Sequence, residues 1–219
     1  IALTTNGTNG NVTLVNDVGL AFAASTVDGT LSATATTGNM TDSGALAISG
    51  TSAFITSANN ATIALDTTTN AFTGAVTLTT NDNDGTDADA TIDGGTTALV
   101  IAESTVVGNL TLTSGNASGI TDSGTLTIGG NLSATTDAGD GVVNLGTLAV
   151  DGTIALATNG TGDALVVNDA GLTFAASAVG QDLTATATTG NIIDNAAVSV
   201  GRNLAVTATA DDGTVNLGT

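Results

Sequence analysis

Internal repetition is the feature that most constrains this chain, because similar segments return at long intervals. Ile1 to Thr8 returns almost unchanged at Ile154 to Thr161, and Ala33 to Asn39 returns at Ala185 to Asn191. Repetition of this kind is the sequence signature of a stack of similar structural units. Such a stack buries its apolar side chains between neighbouring units, so each unit must fit onto the one before it.

The local pattern inside the repeats is that of short strands joined by glycine corners. Leu126 and Ile128 alternate with threonines, Gly129 and Gly130 interrupt the alternation, and it resumes at Leu132. A period of two indicates strands, and no helical period of 3.6 is visible. Because aromatic residues make up only 2% of the chain, the core must consist mainly of small aliphatic side chains, which favours a thin, regular interior.

The positions where a strand opens after a corner predict how the units stack. These openings fall at residues 1, 31, 53, 76, 110, 132, 154, 183 and 204. Most are 21 to 23 residues apart, which leaves room for three short strands and three corners. Since the openings resemble one another, like should stack on like, as it does in a parallel β-helix that rises by about 4.8 Å per turn. The sequence therefore predicts an all-β fold, a parallel β-helix (β-solenoid) of about nine turns with three short strands per turn.

A higher-order repeat of three turns is superimposed on this pattern. Every third turn is longer, at 29 to 34 residues, which divides a single β-helix array over 1–219 into units 1–75, 76–153 and a truncated 154–219. The long turns contain additional strand-like pieces, which we expect to form a ridge along one side of the rod. These pieces are Val12 to Val15, Leu20 to Ala24, Ala98 to Ala102, Ala164 to Val167 and Leu172 to Ala176.

The outward positions of the strands are rich in threonine and predict a ladder of hydroxyl groups. Two interpretations stay open: threonine is a good residue for an exposed strand, or a flat array of hydroxyls binds a ligand such as ice or a glycan. Alanines interrupt the array at Ala155, Ala157 and Ala205. The candidate ligand face consists of Thr77, Thr79, Thr111, Thr113, Thr184, Thr186 and Thr188.

Three asparagines occupy the residue just before a strand opening and predict a second ladder at a corner. They are Asn109, Asn131 and Asn203. Stacked asparagines of this kind are usually structural.

The charge balance excludes several classes of partner. The formal net charge is −19, and Arg202 is the single basic residue. Nucleic acid and anionic membrane surfaces are therefore not expected as partners, because the chain cannot neutralise phosphates. No apolar run approaches the roughly 20 residues that cross a bilayer, so membrane insertion is not expected either.

An acidic cluster in the longest turn is the candidate metal site. Asp82, Asp84, Asp87 and Asp89 place four carboxylates on one loop, and oxygen ligands of this type suit calcium. The spacing does not match an EF-hand loop, because no glutamate follows where a bidentate ligand is needed. Calcium is thus the one cofactor that the sequence suggests, and the alternative is an ordinary solvated turn.

Catalysis is not predicted. The chain contains no His, Cys, Lys or Tyr, so the usual general bases and activated nucleophiles are missing. A pair of facing carboxylates, as glycosidases use, is the remaining route to an enzyme.

Two runs, Val107 to Thr113 and Gly119 to Leu132, resemble the repeats of filamentous-haemagglutinin-type secreted bacterial proteins. The resemblance implies a right-handed β-helix that is exported to the cell surface. It also implies a non-catalytic role as a fibre or adhesin stalk segment, with a host or biofilm surface as partner. Because the chain begins and ends within the repeat pattern, we further expect either continuation into a longer chain or end-to-end or lateral self-assembly into filaments.

Overall fold

The computed structural model describes residues 1–7, 9–83, 85, 87–137 and 139–218, and these form strands, turns and corners. The first strands are β1 (Val12–Asn16), β2 (Leu20–Phe22), β3 (Ser25–Val27), β4 (Leu31–Ala35), β5 (Met40–Asp42), β6 (Leu46–Ile48), β7 (Ser52–Thr56), β8 (Ile63–Leu65) and β9 (Ala71–Phe72). The middle strands are β10 (Val76–Thr79), β11 (Ala90–Asp93), β12 (Leu99–Ile101), β13 (Ser104–Val106), β14 (Leu110–Ser114), β15 (Ile120–Asp122), β16 (Leu126–Ile128), β17 (Leu132–Thr136) and β18 (Val143–Val150). The last strands are β19 (Thr153–Ala157), β20 (Ala164–Asn168), β21 (Leu172–Phe174), β22 (Ser177–Val179), β23 (Leu183–Ala187), β24 (Ile192–Asp194), β25 (Val198–Val200), β26 (Leu204–Ala208) and β27 (Val215–Asn216). Across these described ranges, no helix is long and apolar enough to span a membrane.

Strand pairing is parallel along the whole rod, and most strands pair with the strand three places later in the chain. Val12, Leu31, Ser52 and Val76 form one such column, through β1, β4, β7 and β10. The strands form two 12-stranded sheets and a three-stranded sheet, β3-β6-β9. The predicted parallel β-solenoid is therefore confirmed, and its described residues make about 10 turns.

The long turns differ from the sequence prediction. The segment 76–109 contains four strands, β10 to β13, and the segment 154–182 contains β19 to β22. β10 pairs with both β12 and β13, through Val76 with Ile101 and Thr79 with Thr105. The extra strand carries the chain beyond one revolution instead of forming a ridge, so the expectation of a ridge is wrong. This additional winding is also why there are about 10 turns and not nine.

The expectation that like stacks on like holds only between the long turns. The openings at residues 31, 53 and 76 lie on β4, β7 and β10, which belong to one 12-stranded sheet. Beyond the long turn 76–109, the corresponding strands β14, β17 and β19 lie in the other 12-stranded sheet. After the next long turn, β23 and β26 lie in the first sheet again. Each extra strand thus moves the motif to a different sheet.

The core runs along the rod axis and consists of the side chains that alternate inward. Leu110, Leu112 and Ala134 are 0% exposed, as the period of two predicted. Phe22, Phe54 and Phe72 form a chain of edge-to-face contacts, with ring centroids 6.3 and 6.0 Å apart. The buried side chains form one continuous hydrophobic cluster, so every turn is stabilised by contact with its neighbours.

Candidate functional site

The predicted threonine face is divided between the two large sheets. Thr77 and Thr79 lie on β10 and Thr184 and Thr186 on β23, both in the first large sheet, whereas Thr111 and its neighbour Thr113 lie on β14 in the second. Each of these side chains points outward and is half-buried or exposed. Thr188 follows β23 and donates from its hydroxyl to the carbonyl oxygen of Asp169, at 2.7 Å.

The columns of hydroxyls that do form are short. Thr111 stacks between Thr91 and Ser133, and alanines flank this run of three at Ala64 and Ala155. On the first large sheet, Thr184 has no hydroxyl neighbour in its column, since it lies between Leu165 and Ala205. The structure therefore does not bring the seven predicted threonines together into one flat array.

The predicted calcium loop is described only in part, because Asp84 lies outside the described residues. Asp89 uses its Oδ1 to accept hydrogen bonds from the backbone N–H and the side-chain amide of Asn109, at 2.6 and 3.0 Å. Asp82 accepts a hydrogen bond from the Asp87 N–H at 3.3 Å. Within the described residues, no three acidic side chains are placed to hold a metal ion. Calcium binding by this loop stays a prediction.

Asp89 instead belongs to a corner ladder, in which a side-chain oxygen accepts the backbone N–H of the residue one turn above. One column contains Asp89, Asn109, Asn131 and Thr153. Another contains Asp163, Asp182 and Asn203. The predicted asparagine ladder exists, but Asn203 lies in a different column from Asn109 and Asn131. The ladder satisfies amides that would lack a partner at the corners, which explains why Asn and Asp precede the strand openings.

The basic residue of the chain, Arg202, pairs with Asp182 of the second ladder column. The Arg202 guanidinium donates to both carboxylate oxygens of Asp182, with a distance of 2.8 Å from Nε to Oδ1. This hydrogen-bonded guanidinium lowers the pKa of Asp182 to about 2. Arg202 is thus engaged at a corner of the rod.

A small acidic cavity of about 150 Å³ lies beyond the ends of β8, β11 and β14. Its lining consists of Thr68, Asp93, Gly95, Thr96, Gly115 and Asp137. Asp93 is only 9% exposed, and its Oδ1 accepts a hydrogen bond from the Gly95 N–H at 2.7 Å. Burial raises the pKa of Asp93 above its usual value, and nearby carboxylates, Asp137 foremost, add to that effect.

Asp93 gives this cavity a carboxyl group that stays protonated to a higher pH than usual, and Asp137 places a second carboxyl on the same wall. Sequence reasoning did not single out Asp93. One signal in the sequence could have found it. Asp93 lies at an outward position near the end of β11, and the corresponding position of β20 holds the apolar residue Val167.

Two larger cavities lie at the two ends of the outward surface of β20. One, of about 290 Å³, is lined by Thr125, Gly146, Thr147, Leu148, Val167, Asp169 and Thr188. The other, of about 340 Å³, is lined by Val142, Val143, Asn144, Asp163, Ala164, Leu165, Asp182 and Thr184. Both are lined by aliphatic side chains together with at least one carboxylate, so the outward surface of β20 is concave at both ends.

Comparison with known proteins identifies a repeat and no activity. Residues 9–79 match a family described as repeats of unknown function (DUF5649). The matched stretch contains β1 to β10 and covers about a third of the chain. No curated protein matches the chain, and no solved structure does. The resemblance to filamentous-haemagglutinin-type repeats continues to rest on the sequence runs given above.

Proposed function

We propose that this chain is a structural, non-catalytic segment of an extracellular bacterial surface fibre or adhesin stalk. The observation that carries the proposal is the uniform parallel pairing of turn upon turn around one continuous apolar core. In such an architecture each repeat adds length and nothing else, at about 4.8 Å per turn. About ten turns would give a rod on the order of 45 Å long.

The composition supports a mechanical role over catalysis. A continuous ladder of backbone hydrogen bonds resists bending, while the chain offers no His, Cys, Lys or Tyr for acid–base or nucleophilic chemistry. We propose right-handed winding, because parallel strands joined by crossovers adopt that hand almost without exception.

Extension of the rod by further parallel pairing is part of the proposal. Leu183 and Ile192 are 0% exposed beneath a covering turn, whereas Leu204 and Val215, one turn above, are 45% and 46% exposed. A further turn would bury these side chains and pair the exposed strand edges. We propose that either the continuing polypeptide or a second copy of the chain supplies that turn.

A two-copy fusion tests the rod directly. The last residues, Val215 to Thr219, repeat Val143 to Thr147, and Leu148 to Thr153 then lead into Ile154, which corresponds to Ile1. Two copies joined by the sequence Leu-Ala-Val-Asp-Gly-Thr should therefore form one straight rod of about twice the length, as seen by negative-stain microscopy and small-angle scattering. A matched fusion with a six-residue Gly-Ser linker should bend at the junction. Two bodies joined flexibly in both fusions would refute the proposal.

Location is tested separately. Antibodies against this chain should label intact, non-permeabilised cells of the source bacterium, and external protease should remove the label. Labelling that requires permeabilisation would contradict an extracellular stalk while leaving the rod itself intact.

A further inference from the structure

The outward side chains of β20 and its flanking residues form a row in which two apolar side chains lie between two acidic ones. The row, which we name the β20 row, consists of Asp163, Leu165, Val167 and Asp169. The two aspartates are exposed, and the two aliphatic side chains are half-buried. The aspartates are six positions apart, so the carboxylates lie about 20 Å apart along an extended strand.

The surface beside the β20 row is concave at both ends. The 340 Å³ cavity lies beside Asp163 and Leu165, and the 290 Å³ cavity lies beside Val167 and Asp169. The second cavity is open because β18 is irregular between Leu145 and Leu148, where Gly146 has no side chain. A Cβ built on Gly146 would meet no atom within 4 Å.

The carboxylates of the row are available to a partner. Asp163 accepts hydrogen bonds at Oδ1 only, from the Asp182 N–H at 2.9 Å and the Gln181 amide at 3.3 Å. Its Oδ2 accepts no hydrogen bond from the described chain, and neither does the carboxylate of Asp169. Each can therefore receive a cationic donor without breaking a hydrogen bond, and Asp163 is also within electrostatic reach of Arg202.

The corresponding strands of the other repeats lack this combination. The row beside β1 reads Asn11, Thr13, Val15 and Asp17. The row beside β11 reads Asp89, Thr91, Asp93 and Gly95. Neither places two apolar side chains between two carboxylates, so the β20 row is a particular feature of one level of the rod and not a by-product of repetition.

Charge identifies the kind of partner. The chain carries a net charge of −19, and its one basic residue, Arg202, is paired with Asp182. A second copy therefore cannot supply two cationic groups to this surface. We propose that the β20 row binds an extended segment of a different protein, in which two basic residues flank two apolar residues at alternate positions. The basic heads would lie at Asp163 and Asp169, and the apolar side chains would enter the space beside Leu165 and Val167.

A capped peptide, Lys-Thr-Val-Thr-Val-Thr-Lys, is the probe, because it places lysines six residues apart with two valines between them. Titration calorimetry at low and physiological salt should show binding that weakens with salt, as exposed ion pairs do. The peptide Lys-Thr-Ser-Thr-Ser-Thr-Lys has the same charge without the apolar groups and should bind at least about tenfold more weakly. Equal binding of the two peptides would overturn the proposal in favour of general attraction to an acidic surface.

Two variants locate the site. Asp163→Asn together with Asp169→Asn should weaken binding about tenfold, whereas the matched control Asp17→Asn with Asp211→Asn removes the same charge elsewhere and should change it less than about twofold. Gly146→Val should also weaken binding, because it fills the cavity without changing charge. Thermal melting establishes that each variant folds. Equal losses in the paired and control variants, or full binding by Gly146→Val, would refute this site.

Discussion

Strands β11 and β20 occupy the same place in the repeat and differ most on their outward side. Each starts with an alanine that pairs with a leucine one turn above, Ala90 with Leu110 and Ala164 with Leu183. The inward residues Ala90, Ile92, Ala164 and Val166 are aliphatic and buried, and β20 adds the buried Asn168 at its end. Outward, β11 presents Thr91 and Asp93 where β20 presents Leu165 and Val167. Burial therefore constrains which residues occupy the inner face of each strand, while the residues of the outer face can differ from one repeat to the next.

The largest expected effect separates the two faces of β20 directly. Val166 is 0% exposed, and an aspartate there would bury an unpaired charge, so Val166→Asp should cost more than about 3 kcal/mol or prevent folding. The adjacent Val167→Asp should change stability by less than about 0.5 kcal/mol, because that side chain points outward. Urea unfolding measures both. Similar losses for the two variants would contradict the assignment of faces.

The next effect compares the corner residues Asp89 and Asp163, which precede β11 and β20. Asp89→Ala removes the acceptor of two hydrogen bonds from Asn109 and should cost about 1–2 kcal/mol, whereas Asp89→Asn keeps an acceptor and should cost less. Asp163→Ala should behave similarly, since it accepts from the Asp182 N–H.

Stability measured in calcium and in chelator distinguishes the two roles considered for Asp89, corner acceptor and calcium ligand. If Asp89 acts as a corner acceptor, its alanine variant should lose the same stability in calcium and in chelator. A wild-type melting temperature that falls on chelation, by an amount that Asp89→Ala abolishes, would instead support the calcium site.

A smaller effect is a pH-dependent stability that Asp93 gives to β11 and that Val167, which does not titrate, cannot give to β20. Burial raises the pKa of Asp93, so the folded state holds that proton to a higher pH than the unfolded chain. This contribution makes stability fall as pH rises from the unfolded pKa through the raised folded pKa. Asp93→Asn should therefore raise the melting temperature at pH 7 and leave it nearly unchanged at pH 3, where the carboxyl is protonated in both states. A gain of equal size at both pH values would contradict the role of charge.

The smallest effect lies at the exposed corner beside the β20 row, where Asp182 pairs with Arg202. The pKa of Asp182 is lowered to about 2, so its contribution is fully present above the unfolded value near 3.8 and is lost as pH falls through about 2. Asp182→Asn should slightly lower the melting temperature at pH 5 and lower it less at pH 2. Asp182→Asn should therefore lower the melting temperature where Asp93→Asn raises it. A change of the same sign for both variants would contradict the opposite pKa shifts of the two carboxyls.

The inward residues show how much of the fold could be predicted. Leu110, Leu112 and Ala134 lie at positions that alternation alone assigns to the core, because a strand has only two faces and burial favours apolar side chains on one of them. The path of the additional strands in the long turns was predicted wrongly. Leu99–Ile101 is strand-like whether it winds around the axis or folds outward, and only its pairing with Ile120–Asp122 one turn above distinguishes the two.

The candidate sites were less predictable than the core. Asp89 looked like a metal ligand because it is near other carboxylates in sequence, yet its oxygen is committed to a residue 20 positions away. Asp66, Asp93 and Asp137 are far apart in sequence and come close only because the turns stack. The β20 row was visible as alternation, but its flanking cavities depend on residues of neighbouring turns.

By itself, the sequence determined the class of fold, the residues inside the rod and the acidic character of its surface. These follow from short-range rules: period two, glycine at corners, and an almost complete lack of basic side chains. The tertiary structure alone decided the number of turns, the sheet on which each repeated motif lies and the carboxylates that share a cavity. These properties depend on how far the chain winds before it pairs with itself, and one extra strand in a long turn changes that winding for every residue that follows.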